Sequence, residues 1–285
     1  MNRQVARLLL APATLLMVVV FLAPFTLLVL MGFWSQPPGS LNLDTTPTLE
    51  NYARIFSDDF FLRGLWTTIW LSVLSTALSA LVGLPVAYFV VKRAGRARGL
   101  IMALLLMPLV SGALLPTLGL VNLLSTLGVV NGVLKMLGLI SGSLELLGNT
   151  TGIVIGLLQS FLPLMVLPLV TVLDKLPRDY EDAAMSLGAP RWRVWSRVLL
   201  PLTAPGLVAG SLLVFCAALT SFVTPQILGQ GKVATFATMA YQQASLVLDW
   251  PLASALAVVM LVMLAAIGLV AWAAQRALSR RERPA

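Results

Sequence analysis

Six stretches of this chain, residues 8–33, 64–91, 100–120, 146–173, 205–228 and 250–275, contain no Asp, Glu, Lys or Arg and are dominated by Leu, Val, Ala and Ile. A helix rises about 1.5 Å per residue and the hydrocarbon core of a bilayer is about 30 Å thick, so roughly 20 such residues cross it. Lipid offers no partner to a backbone N–H or C=O, and a helix satisfies both groups within its own segment. These runs therefore predict an all-α, polytopic membrane protein with six transmembrane helices, folded as one permease-like domain over 1–285. Composition agrees, because only 11% of the residues are charged, against about 25% in a soluble domain.

Charge placement orients the spans. With the N-terminus and C-terminus in the cytoplasm, fifteen of the nineteen basic residues fall inside: Arg3, Arg7, Lys92, Arg93, Arg96, Arg98, Lys175, Arg178, Arg191, Arg193, Arg197, Arg276, Arg280, Arg281 and Arg283. Arg54, Arg63, Lys135 and Lys232 fall outside. That asymmetry is the positive-inside bias of an inserted protein. Residues 121–144 are also mostly apolar, but they contain Asn122, Gly128, Asn131, Gly132 and Lys135. A seventh span there would move the last two basic tracts outside, so the segment is expected at the outer face, as a surface helix or a re-entrant one. The first apolar run follows Arg3 and Arg7 as a secretory signal would, yet it exceeds the 7–15 residues or so of a signal core and is expected to persist as a helix. The outer loop 34–63, with Asp44, Glu50, Asp58 and Asp59, reads as a solvated connector or a docking surface for a soluble partner.

The same residues exclude several chemistries. The net charge of +8 is dispersed in short tracts between apolar runs, whereas a nucleic-acid site gathers its basic residues on one surface. Membrane lipid, not nucleic acid, is the expected partner of those tracts. The single Cys216 lies inside an apolar run and there is no His, so neither a disulfide nor the commonest metal ligand is at hand. No catalytic residue and no metal site is expected. The nearest approach to a phosphate-cradling loop, Gly229-Gln230-Gly231-Lys232-Val233, has the wrong spacing. The chain also lacks a GxSxG elbow and paired intramembrane carboxylates, the parts of a hydrolase or a proton-driven carrier. It is therefore expected not to be an enzyme, and to bind no cofactor itself.

The most structured loop is 174–204. Asp179, Glu181 and Asp182 suit a helix N-terminus, where the dipole favours anions, and Gly188 suits a left-handed turn that ends that helix. Pro190 suits the first turn of a second helix, in which Trp192, Trp195, Val198 and Leu199 recur at helical spacing with Arg193 and Arg197 on another face. Such a helix is expected at the membrane interface. Ala183 and Ala184 leave the first helix nearly bare, so that another protein's groove can approach its backbone.

Asp182-Ala183-Ala184, then Gly188, then Val198-Leu199-Leu200-Pro201 resembles the EAA…G…I-x-L-P signature of binding-protein-dependent ABC importer permeases of type I. Spacing matches throughout; Asp182 replaces the usual Glu, with Glu181 beside it, and Val198 replaces Ile. The resemblance implies a coupling helix seated in a cleft of a cytoplasmic ATP-binding subunit, carried by Glu181, Asp182, Ala183, Ala184, Leu187, Gly188, Arg191 and Pro201. It also implies a chain of the bacterial inner membrane that forms half of a pore. The partners it implies are a second homologous permease in a heterodimer, two cytoplasmic ATP-binding subunits holding ATP and Mg, and a periplasmic or extracellular substrate-binding protein. Residues 128–140, 161–168, 222–229 and 249–251 are similar to the spermidine/putrescine branch, which implies a polyamine or related small amine as substrate. Permeases for iron, thiamine, sulfate, opines and phosphonates look similar in the same places, and those solutes or an amino-acid derivative are the alternative substrates. An ATP-independent secondary transporter is the alternative from a different class.

Polar residues within the spans are the candidates for the substrate path: Gln159 and Ser160 in the fourth, and Thr220, Ser221, Phe222, Thr224 and Gln226 in the fifth. The Ser and Thr hydroxyls have the competing role of bonding their own helix. Phe222 and Trp250 suit either stacking on an amine or anchoring at the interface. Gly148, Gly152 and Gly156, and again Gly206 and Gly210, repeat every four residues, a spacing that lets helices approach closely. Pro108, Pro116, Pro163 and Pro168 are expected to kink their spans.

Overall fold

A computed structural model describes residues 3–37, 42–177 and 179–281; Arg178 and Arg283 of the basic tracts lie outside them. In chain order the helices are α1 (Arg3–Gly32), α2 (Glu50–Ser57), α3 (Asp59–Lys92), α4 (Arg98–Ser111), α5 (Leu114–Leu124), α6 (Val129–Met136) and α7 (Thr150–Leu173). They continue as α8 (Asp179–Ser186), α9 (Arg191–Val194), α10 (Leu200–Leu219), α11 (Val223–Leu228), α12 (Phe236–Gln242) and α13 (Trp250–Arg281). Among the described residues there is no strand, only an isolated bridge between Ser35 and Asp44. Six segments are long and apolar enough to cross a membrane: Thr14–Gly32, Asp59–Lys92, Leu114–Met136, Thr150–Leu173, Arg191–Leu219 and Trp250–Ala271.

The chain divides into two compact units, 1–65 with 236–285, and 66–235. In the first, α1 packs along α13. Gly32 makes that approach possible, since a Cβ there would sit 3.3 Å from the backbone of Ala255 and 2.7 Å from the Tyr52 hydroxyl. The carbonyls left over at the end of α1 are met by Asn51, whose amide donates to Gly32 O at 3.2 Å and Trp34 O at 2.7 Å. Asp249 accepts from the Leu252 amide at 3.1 Å, as a helix cap does, and lies 3.7 Å from Arg54.

The second unit is built round α7, whose Ile153, Leu157, Met165, Leu169 and Leu173 are almost wholly buried. Asn149 caps it by accepting from the Gly152 amide at 3.0 Å. Along α10, a Cβ on Gly206 would lie 3.0 Å from Pro168 O, and one on Gly210 would lie 3.1 Å from the Met165 backbone. The glycine repeat of the fifth span thus brings α10 against α7 within this chain. Gly83 of α3 meets the Met165 side chain, where a Cβ would come within 2.6 Å, and α11 lies over Gly156, where a Cβ would strike Thr224 and Leu228.

Three expectations differ from the structure, each because of a proline or its neighbours. The third span, expected over 100–120, is not one helix: Pro116 cannot donate to Gly112 O, and the chain turns there with Gly112 at φ +74°. It resumes as α5. The segment 121–144 contains the end of α5 and the short α6, pinned by buried Asn131, which donates to Ser125 O and Leu144 O and accepts from the Leu144 amide. The second helix of loop 174–204 is not separate from the fifth span. Pro201 cannot donate to Arg197 O, and instead of ending the helix the backbone widens into a π turn over Trp195–Leu199, so that Arg191–Leu219 forms one continuous segment. The span expected over 205–228 in turn ends at Leu219, because Pro225 cannot donate to Ser221 O. Pro163 and Pro168, by contrast, lie inside an α7 that stays continuous.

Because the contact at Gly210 is with backbone, Gly210→Val is expected to destabilise the folded protein by about 1–3 kcal/mol through overpacking. Gly119→Ala, which meets nothing within 4 Å, is expected to leave stability unchanged or slightly raised. Thermal unfolding of the two variants in detergent measures the difference.

Candidate functional site

Two regions bring the candidate residues together, both in the unit 66–235. The first is α8 with the turn after it. Its opening turn carries Asp179, Glu181 and Asp182, as the helix dipole favours. It ends as expected at Gly188, φ +80°, with the Gly188 amide on Met185 O at 2.9 Å and the Ala189 amide on Ala184 O at 3.1 Å. Those two bonds form a Schellman cap, which requires a left-handed residue at that position.

Asp182, Ala183 and Ser186 are exposed along one face of α8, and Leu187 is 89% exposed at its end. Ala184 is half-buried. Arg191 and Pro201 are exposed, the former at the start of α9 and the latter in the first turn of α10. Glu181 differs from all of these. Its side chain is 15% exposed, accepts a hydrogen bond from the Tyr88 hydroxyl at 2.8 Å and lies 3.6 Å from Lys92 Nζ. The two acids that the sequence left side by side as equivalents therefore face different ways.

Sequence reasoning did not find the residues that hold this loop. Lys92 also donates to Leu176 O at 3.1 Å. Arg98 grips Asp174 through two bonds, at 2.9 and 2.5 Å, and the hydrogen bond and charge of that carboxylate push the guanidinium pKa up. Tyr88 lies against Trp195 at a centroid distance of 4.7 Å. Arg193 and Arg197 are exposed while Trp195 and Val198 are half-buried and Leu199 is buried, as two faces require; Trp192 departs from this, exposed with Arg193 over its ring at 5.3 Å. Neighbours in sequence meet there as a cation–π pair. The only available signal was the Tyr88–Lys92 spacing of one helical turn at the end of a span; nothing in a sequence pairs it with a carboxylate 93 residues away.

The second region is the break between α10 and α11. Thr220 closes α10 by donating its hydroxyl to Cys216 O at 2.9 Å, while the Ser221 amide donates to Ala218 O at 3.2 Å. Thr220 is exposed, and Ser221, Phe222 and Gln226 are half-buried. Gln159 of α7 is exposed, and Pro163, one turn on, cannot donate to its carbonyl. Irregular backbone at membrane depth is tolerated where it is buried in protein or lines a watery cavity. Two candidates are corrected by burial: Ser160 is 5% exposed, and Thr224 is fully buried against Gly156. Both sit in packing and present no hydroxyl to a passing solute. Among the described residues no group of His, Cys, Asp or Glu is placed to hold a metal ion.

Residues 79–284 match the model of a family described as binding-protein-dependent transport system inner membrane components. The chain belongs to that family. It is a multi-pass inner-membrane permease, the non-enzymatic pore subunit of a binding-protein-dependent importer. Among its relatives, the spermidine/putrescine transport system permease protein PotB of Salmonella typhimurium (strain SL1344) is 30% identical over 234 residues, covering 82% of this chain and 81% of that one. The sulfoquinovosyl glycerol transport system permease protein SmoH of Agrobacterium fabrum is 30% identical over 215 residues, 75% of this chain and 70% of that one. In fold, the chain superposes with a TM-score of 0.76 on a bacterial ABC transporter involved in the import of the acidic polysaccharide alginate, at 19% identity and over 98% of this chain and 97% of that one. The all-α, six-span ABC importer permease fold expected from the sequence is the fold of this permease.

The left-handed geometry of Gly188 yields a test that separates conformation from bulk. A Cβ there meets nothing within 4 Å, so the cost of substitution is conformational, about 1–2 kcal/mol for most residues and less for Asn. Uptake by Gly188→Asn is expected to exceed that by Gly188→Val at matched membrane abundance. Equal loss in the two variants would point to a steric role instead.

Proposed function

We propose that this permease imports polyamines or a related small amine, driven by ATP hydrolysed on a separate cytoplasmic subunit that engages α8. The observation that carries the coupling half of this reading is the exposed face of α8. Asp182, Ala183, Ser186 and Leu187 are presented to solvent beside the Schellman turn, where a partner's surface can reach them. Asp182, Ala183, Ala184, Leu187, Gly188 and Arg191 form the contact, while Pro201 fixes the π turn that joins it to α10. Two such ATP-binding subunits, carrying ATP and Mg, serve a heterodimer of this chain and a second homologous permease. A substrate-binding protein delivers the solute from outside, and both termini lie in the cytoplasm. The chain itself binds no cofactor.

The substrate half rests on the likeness to PotB and on the chemistry of the α10 break. Gln159, Thr220, Ser221 and Gln226 offer neutral oxygens to an ammonium group, and Phe222 offers a ring face. None of the six apolar runs carries a fixed charge, so a polycation is passed along by weak, multiple contacts and is not trapped by one carboxylate. A second reading, import of a glycoside, is favoured by the equal identity to SmoH.

Uptake of radiolabelled putrescine and spermidine, measured in cells that carry or lack this gene, tests the substrate. Accumulation that needs the chain and stops when the ATP-binding subunit is deleted is expected. Uptake indifferent to this gene removes polyamines from the reading, and uptake that survives loss of the ATP-binding subunit removes the ATP-driven mechanism.

A further inference from the structure

We infer that Tyr88 and Lys92, at the end of α3, are positioning residues that clamp the coupling helix through Glu181, so that displacement of α8 moves α3 instead of bending the loop. The inference rests on the proposal that α8 couples to an ATPase. Its basis is the convergence of contacts on one helix turn of α3. Tyr88 donates to Glu181 at 2.8 Å and lies against Trp195, while Lys92 lies 3.6 Å from the same carboxylate and donates to Leu176 O. Two residues of α3 thereby reach α8, the turn after α7 and the start of the α9–α10 segment.

Burial makes this more than a surface ion pair. The side chains of Lys92 and Glu181 are 9% and 15% exposed, and an ion pair out of water is screened little and is costly to break on one side only. The Arg98–Asp174 pair, 42% and 37% exposed, is a weaker second tie between the start of α4 and the end of α7. A short helix held only through its own chain connections would yield when pushed. With the clamp, Asp182 and Ala183 are free to contact a partner while Glu181 holds the inner side.

The clamp is tested in the assembled transporter by the number of substrate molecules moved per ATP hydrolysed. Lys92→Met is expected to lower that ratio by about tenfold, a change typical of a coupling free energy between sites. Tyr88→Phe, which deletes one hydroxyl and keeps the ring against Trp195, is expected to lower it by about threefold. The double exchange Lys92→Glu with Glu181→Lys is expected to recover most of the ratio lost in Lys92→Met. An unchanged ratio in either single variant, or a double exchange no better than the single ones, overturns the clamp. Should Lys92→Met fail to assemble, Tyr88→Phe decides alone. If the wild-type complex itself shows no ATP-dependent uptake, it is the ATP-driven reading that has failed, not the clamp.

Discussion

A fixed charge at the centre of a bilayer costs about 2.5–3.5 kcal/mol even on the most lenient scale, and this chain carries none in any of its six apolar runs. Much else follows from that constraint. Without carboxylates or histidines in those runs the usual parts of a proton relay are missing from them, which is why the proposed energy input lies outside the lipid. The ionisable residues are gathered between the spans, and the densest gathering is the loop around α8. The proposed function divides along the same line, a neutral path in the spans and a charged connection to the ATPase on one side of them.

Within the unit 66–235, packing is organised so that this connection can be stiff. The glycines of α10 allow its backbone to rest against that of α7 at Met165 and Pro168, and Gly83 lets the α3 backbone close on the Met165 side chain. Helices in lipid gain little from excluding water, so close backbone contact of this kind is what holds them together. Proline then shapes the ends. Pro201 widens the helix into the π turn that carries the coupling loop directly into α10, Pro225 opens the gap between α10 and α11, and Pro116 with Gly112 bends the third span.

The fold was legible in the sequence wherever a long-range rule applied. Span number came from run length, and the turn at Gly188 came from the residue type that alone adopts φ +80° without strain. Span boundaries were less legible, because a proline signals only that a hydrogen bond is missing. Whether the chain stops, as at Leu219, or swells into a π turn, as at Trp195–Leu199, is decided by what packs alongside. The substrate-path candidates divided for a similar reason: Ser160 and Gln159 are adjacent and both polar, yet one faces the core and the other does not. The partners of Glu181 were illegible altogether, since they lie on a helix completed long before the loop begins.

The account stands on the claim that this chain works as half of a pore driven by a separate ATPase. The most direct measurement is the composition of the complex purified through a tag on this chain from mild detergent, by quantitative mass spectrometry together with its ATPase activity. The account predicts one second permease and two ATP-binding subunits for each copy of this chain, with ATP hydrolysis stimulated by a loaded binding protein. Recovery of the chain alone or as a self-associated oligomer, folded but without ATPase activity, would contradict it.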